Sequence, residues 1–210
     1  MSVLFFRRKM KTFDEINANF YTKEQIGKIK AVKIGIAGAG GLGSNCALAL
    51  VRAGFVNFTI IDFDEVSPSN LNRQFYFQKQ IGEKKVEALA ENLRKINPEL
   101  NLSLFAEKIT SENLDKFFCD VDIVVEAFDT PEDKAAIAQR FLFDEKYFIC
   151  VSGIAGFGNS DRIKTRAIGK NSWIVGDETS DVASLPPFAP AVLISAAKQA
   201  DKVLEIVLGI

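Results

Sequence analysis

Six residues, Gly38-Ala39-Gly40-Gly41-Leu42-Gly43, precede two acids, Asp62 and Asp64, and two cations, Arg73 and Lys85, in a chain that has no histidine. Glycines at Gly38, Gly40 and Gly43 allow a tight turn and let backbone N–H groups approach a phosphate, with Gly41 as an additional glycine. A helix opening near Leu42 adds the positive end of its dipole. The Asp62 carboxylate can accept two hydrogen bonds from a ribose diol. Asp64 either caps its loop or touches the ligand, and the residues leave both readings open. Arg73 is a permanent cation with a planar fork suited to phosphate oxygens, and Asn70 can donate to the same group. Lys85, at the start of a helix, would project towards the same edge. Arg73 and Lys85 together could hold β- and γ-phosphates and stabilise charge on leaving pyrophosphate.

The missing histidine excludes a Ser-His-Asp triad, a Cys-His pair and any His-ligated metal. It leaves chemistry that needs no imidazole base, such as attack of an already ionised carboxylate on a phosphate.

These residues are placed by an alternation of apolar strands and helices. Val32–Ala37 reads as a strand ending at the glycine loop, Leu42–Ala53 as a helix stopped by Gly54, and Phe58–Ile61 as a second strand ending at Asp62. This is the strand, glycine loop, helix, strand and acid context that a nucleotide fingerprint demands. A polar loop spans Glu65–Gln80. Gly82–Ile96 reads as a helix stopped at Asn97-Pro98. Leu100–Ala106, Val121–Glu126 and Tyr147–Ser152 read as strands, and Thr110–Phe118 and the region near Pro131–Asp144 as helices. Asp161–Ile168 and Ser172–Val175 are expected as strands at an antiparallel end of the sheet, and Ala191–Leu208 as a closing amphipathic helix. The expected fold is α/β: a Rossmann-like, mostly parallel sheet with helices on both faces and an antiparallel C-terminal extension. One domain spans residues 1–210, with an N-terminal arm over 1–21 and a mobile crossover loop over 176–190.

Composition agrees with a soluble globular protein. The 210 residues carry a net charge of -1, with 48% hydrophobic and 25% charged residues. There is no global basic excess for nucleic acid, although Arg7-Arg8-Lys9 is locally basic. No apolar run spans a bilayer, and Val3-Leu4-Phe5-Phe6 before the charges is too short for a secretory signal. Three cysteines without a spacing pattern fit a reducing compartment, so a cytoplasmic location is expected.

The chain resembles the ThiF/MoeB family of adenylating enzymes, kin to ubiquitin-activating enzymes. The resemblance rests on Gly-Ala-Gly-Gly-Leu-Gly-Ser, Asp62-x-Asp64-x-Val66-x-x-x-Asn70-Leu71-x-Arg73-Gln74, Ile81-Gly82-x-x-Lys85 and Ile96-Asn97-Pro98. It is specific over about residues 31–131. It implies that ATP is bound by the glycine loop with Asp62, Asp64, Asn70, Arg73, Gln74 and Lys85. It implies adenylation of the C-terminal glycine of a ubiquitin-like sulfur-carrier protein with a Gly-Gly end, a ThiS-like carrier of thiamine biosynthesis, by a homodimer. It also gives Asp129 the place of the second acid of the family's Asp-x-x-Asp-Asn, which holds Mg²⁺ at the triphosphate. Hard carboxylate oxygen suits Mg²⁺, and the C-terminal end of a strand faces the ligand crevice of such a sheet.

The sequence departs from the family's pattern in several places. Glu126 replaces the first acid of that motif. Asp14–Tyr21 lacks the arginine that reaches a partner subunit's phosphates in many relatives, leaving Arg7 or Arg8 as substitutes. The two Cys-x-x-Cys pairs of zinc-binding relatives are missing, so no zinc site is expected. Residues 176–190 hold no cysteine, Cys46 and Cys150 read as core, and Cys119 stays ambiguous, so the expected reaction stops at the acyl adenylate. A NAD- or FAD-binding oxidoreductase and a non-catalytic nucleotide-binding subunit are the alternatives.

Overall fold

The computed structural model describes residues 12–181 and 184–209. Two helices, α1 (Phe13–Asn17) and α2 (Lys23–Ala31), lead into β1 (Lys33–Ala37), α3 (Gly41–Ala53) and β2 (Asn57–Ile61). Then come α4 (Lys85–Arg94), β3 (Asn101–Phe105), α5 (Leu114–Phe118), β4 (Ile123–Glu126), α6 (Pro131–Phe141) and β5 (Tyr147–Val151). β6 (Lys164–Ala167), β7 (Ser172–Gly176) and α7 (Ala189–Leu208) complete the chain.

The seven strands form one sheet in the order β3-β2-β1-β4-β5-β7-β6. Each of the first six pairs parallel with its neighbour, and β6 alone pairs antiparallel, with β7. This is the expected Rossmann-like sheet. The two C-terminal strands form the expected antiparallel pair, β6 with β7; β7 also lies between β5 and β6 and joins them to the parallel sheet, running parallel to β5 with Phe148 opposite Ser172. Period-two burial explains the layers. Ile34, Ile36, Ile123 and Val125 share one face with Phe58 and Ile60, and there they meet the buried sides of α3, α4 and α7. Val124, Ile61 and Phe148 face the other way, onto Phe117, Phe118, Ile137 and Phe141 of α5 and α6. Burying residues on both faces is what makes these strands almost continuously apolar.

Three boundaries differ from the sequence reading. From Thr12 on, the stretch expected as an arm is structured: Thr12 and Glu15 form a capping box that starts α1. Arg7 and Arg8 lie outside the described residues. Helix α4 begins at Lys85 rather than Gly82, because Gly82 takes φ 90 and the Gly82 N–H donates to Val66 O at 2.9 Å. The polar segment after β2 is no open loop. It contains two single 3₁₀ turns, Pro68–Asn70 and Gln78–Gln80.

Candidate functional site

The ends of β1, β2 and β4 and the start of α3 surround a cavity of about 790 Å³. It lies where the sheet order turns from β1 to β4, the switch point at which open α/β sheets bind ligands. The glycine loop forms its floor. Gly38 takes φ 102, and a Cβ at Gly43 would lie 1.8 Å from the Gly38 carbonyl oxygen, so glycine is required at both places. Gly40 is the N-cap of α3 and offers no side-chain cap. The N–H groups of Gly41, Leu42 and Gly43 therefore have no hydrogen-bond partner among the described residues, and Gly40, Gly41 and Leu42 line the cavity. Unpaired donors at a helix start are suited to phosphate.

Asp62 holds this loop in place. Its Oδ2 accepts from Ala39 N–H at 2.7 Å and its Oδ1 from Asp64 N–H at 2.8 Å. Burial pushes its carboxyl above the usual aspartate range, against the opposing pull of Lys85 and the two N–H groups. Lys85 Nζ donates to Asp64 Oδ2 at 2.6 Å, so the lysine is held inside the cavity wall. Arg73 also lines the cavity and has no carboxylate partner among the described residues; its guanidinium is steadied by Asn72 Oδ1 at 2.8 Å and Ser69 O at 3.2 Å.

Gln74 is buried beside the glycine loop, and its Oε1 has no hydrogen-bond partner among the described residues. Asp129 is exposed at the rim, and its carboxylate makes no hydrogen bond or ion pair with the described residues. The cap of α6 is Thr130, whose hydroxyl accepts from Asp133 N–H at 3.3 Å, which leaves Asp129 available.

The cavity is thus lined by Gly38, Gly40, Gly41, Asp62, Asp64, Arg73, Gln74, Lys85 and Asp129 among the residues singled out in the sequence. Two others stand apart from its lining. Gly43 acts beneath the loop through its close approach to Gly38. Asn70 caps its own turn, its Oδ1 accepting from Ser67 N–H at 3.0 Å.

The sequence reading missed Tyr76. Its buried hydroxyl donates to Ala39 O at 2.6 Å and lies 3.2 Å from Lys85 O, bracing the glycine loop against the start of α4. Nothing in the local pattern around Tyr76 signals this, since both contacts depend on the folded sheet. The crossover segment is tethered at its start: Asp177 Oδ1 accepts from Ser180 N–H at 2.7 Å, and Arg162 pairs with Asp177 Oδ2. Cys46 is buried and Cys150 half-buried, and burial pushes both thiols up to about 12, far from thiolate at neutral pH. Cys119 is exposed.

Known proteins resemble this chain in sequence and in fold. The chain is 36% identical over 132 residues to the SUMO-activating enzyme subunit 2 of Dictyostelium discoideum, covering 62% of this chain and 20% of that protein. It is 32% identical over 143 residues to the adenylyltransferase and sulfurtransferase UBA4 of Candida glabrata, covering 68% of this chain and 33% of that protein. The chain thus spans a third or less of the length of these two curated relatives. Among solved structures, the tRNA N6-threonylcarbamoyladenosine dehydratase TcdA of E. coli in complex with AMP superposes with a TM-score of 0.84 at 21% identity, covering 92% of this chain and 93% of that one, a likeness of fold. Residues 14–210 match the ThiF family from near the start of the first helix to the end of the last, and the chain belongs to that family.

Proposed function

We propose that this chain uses ATP to adenylate a carboxylate, the C-terminal glycine of a ubiquitin-like sulfur-carrier protein with a Gly-Gly end. The observation that carries this reading is the convergence of unpaired helix N–H groups, Arg73 and Lys85 on one cavity at the sheet's switch point. A hydride-transfer enzyme would need the glycine loop and Asp62 but has no use for two further cations on the phosphate side.

In the proposed reaction a carboxylate oxygen attacks the α-phosphorus of ATP. The bond from that phosphorus to the bridging oxygen breaks, pyrophosphate leaves with the electron pair, and a mixed acyl–phosphate anhydride remains. The ribose lies against Asp62 and the phosphates over the start of α3. Gln74, which lines the same cavity, contributes its amide N–H at the same place. Arg73 and Lys85 hold the outer phosphates and stabilise the charge that grows on the leaving group. No proton needs to be removed from an ionised carboxylate, so the absence of histidine costs nothing. The acceleration comes from positioning and fixed charge.

Asp129 suits Mg²⁺: it offers a hard, exposed carboxylate without a competing partner at the cavity rim. Bound there with ATP, Mg²⁺ would neutralise part of the triphosphate charge. A ThiS-like carrier, a role in thiamine biosynthesis and a homodimer complete the proposal by family resemblance, and unpatterned cysteines support a cytoplasmic setting. The high-pKa thiols of buried Cys46 and half-buried Cys150 support an enzyme that stops at the adenylate.

The test is to incubate the chain with MgATP and small proteins ending in Gly-Gly, and to look by intact mass for a carrier that has gained one AMP. A carrier that gains AMP, and gains none when its terminal glycine is removed, supports the reading. Tight binding of NAD(H) or a flavin, with no ATP binding, overturns it.

A further inference from the structure

Glu126 ends β4 with a fully buried carboxylate. Its Oε1 accepts from Phe128 N–H at 2.7 Å and from Lys134 Nζ at 2.9 Å. Its Oε2 accepts from Val151 N–H at 3.1 Å and from Lys134 Nζ at 3.1 Å. Lys134 Nζ also donates to Val151 O at 2.9 Å. The ammonium's three protons thus match three acceptors.

The sheet shows what this pair replaces. β1 and β4 remain in register to Ala37 opposite Glu126, but β4 and β5 stop pairing at Val125 opposite Ile149. Beyond that point the Val151 N–H and C=O bond to the Glu126 and Lys134 side chains. The chain after β4 runs to Asp129, and the chain after β5 runs to Gly153 and Ile154; all three residues line the cavity. From α7, Gln199 Nε2 donates to Glu126 O at 2.8 Å and fixes the end of β4 from a third side.

We propose that the Glu126–Lys134 pair is a positioning wedge: it takes over the main-chain hydrogen bonds where β4 and β5 part, holds the two strand ends at a fixed separation, and thereby sets where Asp129 stands in the cavity lining relative to Gly153 and Ile154. The inference rests on the nucleotide-site reading above. Lys134 is a positioning residue and not a phosphate ligand, because its donors are already occupied. Its effect on the ligand passes through the Phe128 main chain, which lies between Glu126 and Asp129.

The test combines amide exchange with a double-mutant cycle on ATP binding. In Lys134→Met, the Val151 and Phe128 amides should exchange faster by NMR, while Ile60, buried in β2, keeps its protection. With Mg²⁺ chelated, the variant should bind ATP within about threefold of the unaltered chain; with Mg²⁺ present, it should bind at least about tenfold more weakly. Asp129→Ala should show the same Mg²⁺-dependent loss, and adding Lys134→Met to it should cost less than about twofold more. Lys134→Arg should restore MgATP binding. If Lys134→Met does not fold because it strands a buried carboxylate, the pair Glu126→Gln with Lys134→Met removes that charge and is read in its place. Losses that multiply with Asp129→Ala, or unchanged MgATP affinity in a folded variant, overturn the wedge and leave the adenylation reading standing. An unaltered chain that binds no MgATP overturns both.

Discussion

Lys85 and Asp64 hold each other twice: Lys85 Nζ donates to Asp64 Oδ2 at 2.6 Å, and Lys85 N–H donates to Asp64 O at 2.9 Å. The lysine side chain is 7% exposed and the aspartate 45%. The cation is therefore fixed before any ligand arrives, by an acid whose other side remains open to the cavity. Preorganised charge of this kind acts on a growing negative charge without first having to reorient. Lys85→Ala is expected to lower the rate of adenylate formation by roughly 10²–10³-fold, the scale seen when one fixed donor to a developing charge is removed. Asp64→Asn should lower it less, because the lysine stays but loses its anchor. Single-turnover adenylate formation checks both, and equal losses in the two variants would show that Asp64 does more than hold Lys85.

Arg73 differs from Lys85 in having no carboxylate partner among the described residues. Its planar fork is what the site uses, so Arg73→Lys should behave like Arg73→Ala and not like the unaltered chain. Measured ATP affinity at several salt concentrations checks this. A lysine variant with full affinity would reduce the role of Arg73 to that of a point charge.

The glycine loop separates folding from binding. At Gly43 an added Cβ would meet Gly38 O at 1.8 Å, so the backbone itself must move. Gly43→Ala should cost about 3 kcal/mol or more, which for a chain of this size lowers Tm by roughly 6–12 °C. At Gly40 the nearest atom to an added Cβ is Gln74 Nε2 at 3.9 Å, and φ is -75, open to any residue. Gly40→Ala should leave stability within about 0.5 kcal/mol while weakening ATP binding, since the methyl enters space meant for phosphate. Thermal melting and nucleotide titration on the same two variants decide the matter; a Gly40→Ala protein that binds ATP normally would place the phosphates elsewhere.

What the sequence made legible was whatever is written in short range. The glycine loop, the acid at the end of β2 and the strand periods are all local, and the structure brings Asp62, Arg73, Lys85 and Asp129 to one cavity as their positions at strand and helix ends imply. What it left hidden depends on partners far apart in the chain. The place of β7 beside β5 cannot be read from Ser172–Gly176, because a buried strand looks alike whichever way its neighbour runs. Tyr76 and Lys134 look like ordinary loop and helix residues until folding brings Ala39 and Val151 against them. Helix α1 is a different case: Thr12-x-x-Glu15 was a local signal, and the structure uses it as a capping box.

Asp62 makes a prediction about pH. Burial raises its folded-state pKa above the unfolded value of about 3.9, so the folded chain binds the proton more tightly. Its contribution to stability is fully present below about pH 4 and is lost as pH rises through the folded pKa. A carboxyl ¹³C titration of Asp62 should show a midpoint above that of an ordinary aspartate. Denaturant unfolding of the ligand-free chain across the acid range should show a downward slope that Asp62→Ala lacks. A midpoint at or below the usual value would mean that Lys85 and the Ala39 and Asp64 N–H groups outweigh burial.

The central claim is that the cavity makes an acyl adenylate on a carrier's terminal glycine, and carrier-dependent ATP–pyrophosphate exchange tests it most directly. With a small protein ending in Gly-Gly supplied, labelled pyrophosphate should enter ATP. The signal should vanish when the terminal glycine is removed from the carrier and should fall by roughly 10²-fold or more in Arg73→Ala and Lys85→Ala. Exchange that no Gly-Gly-ended carrier stimulates, together with an Arg73→Ala variant indistinguishable from the unaltered chain, would contradict it.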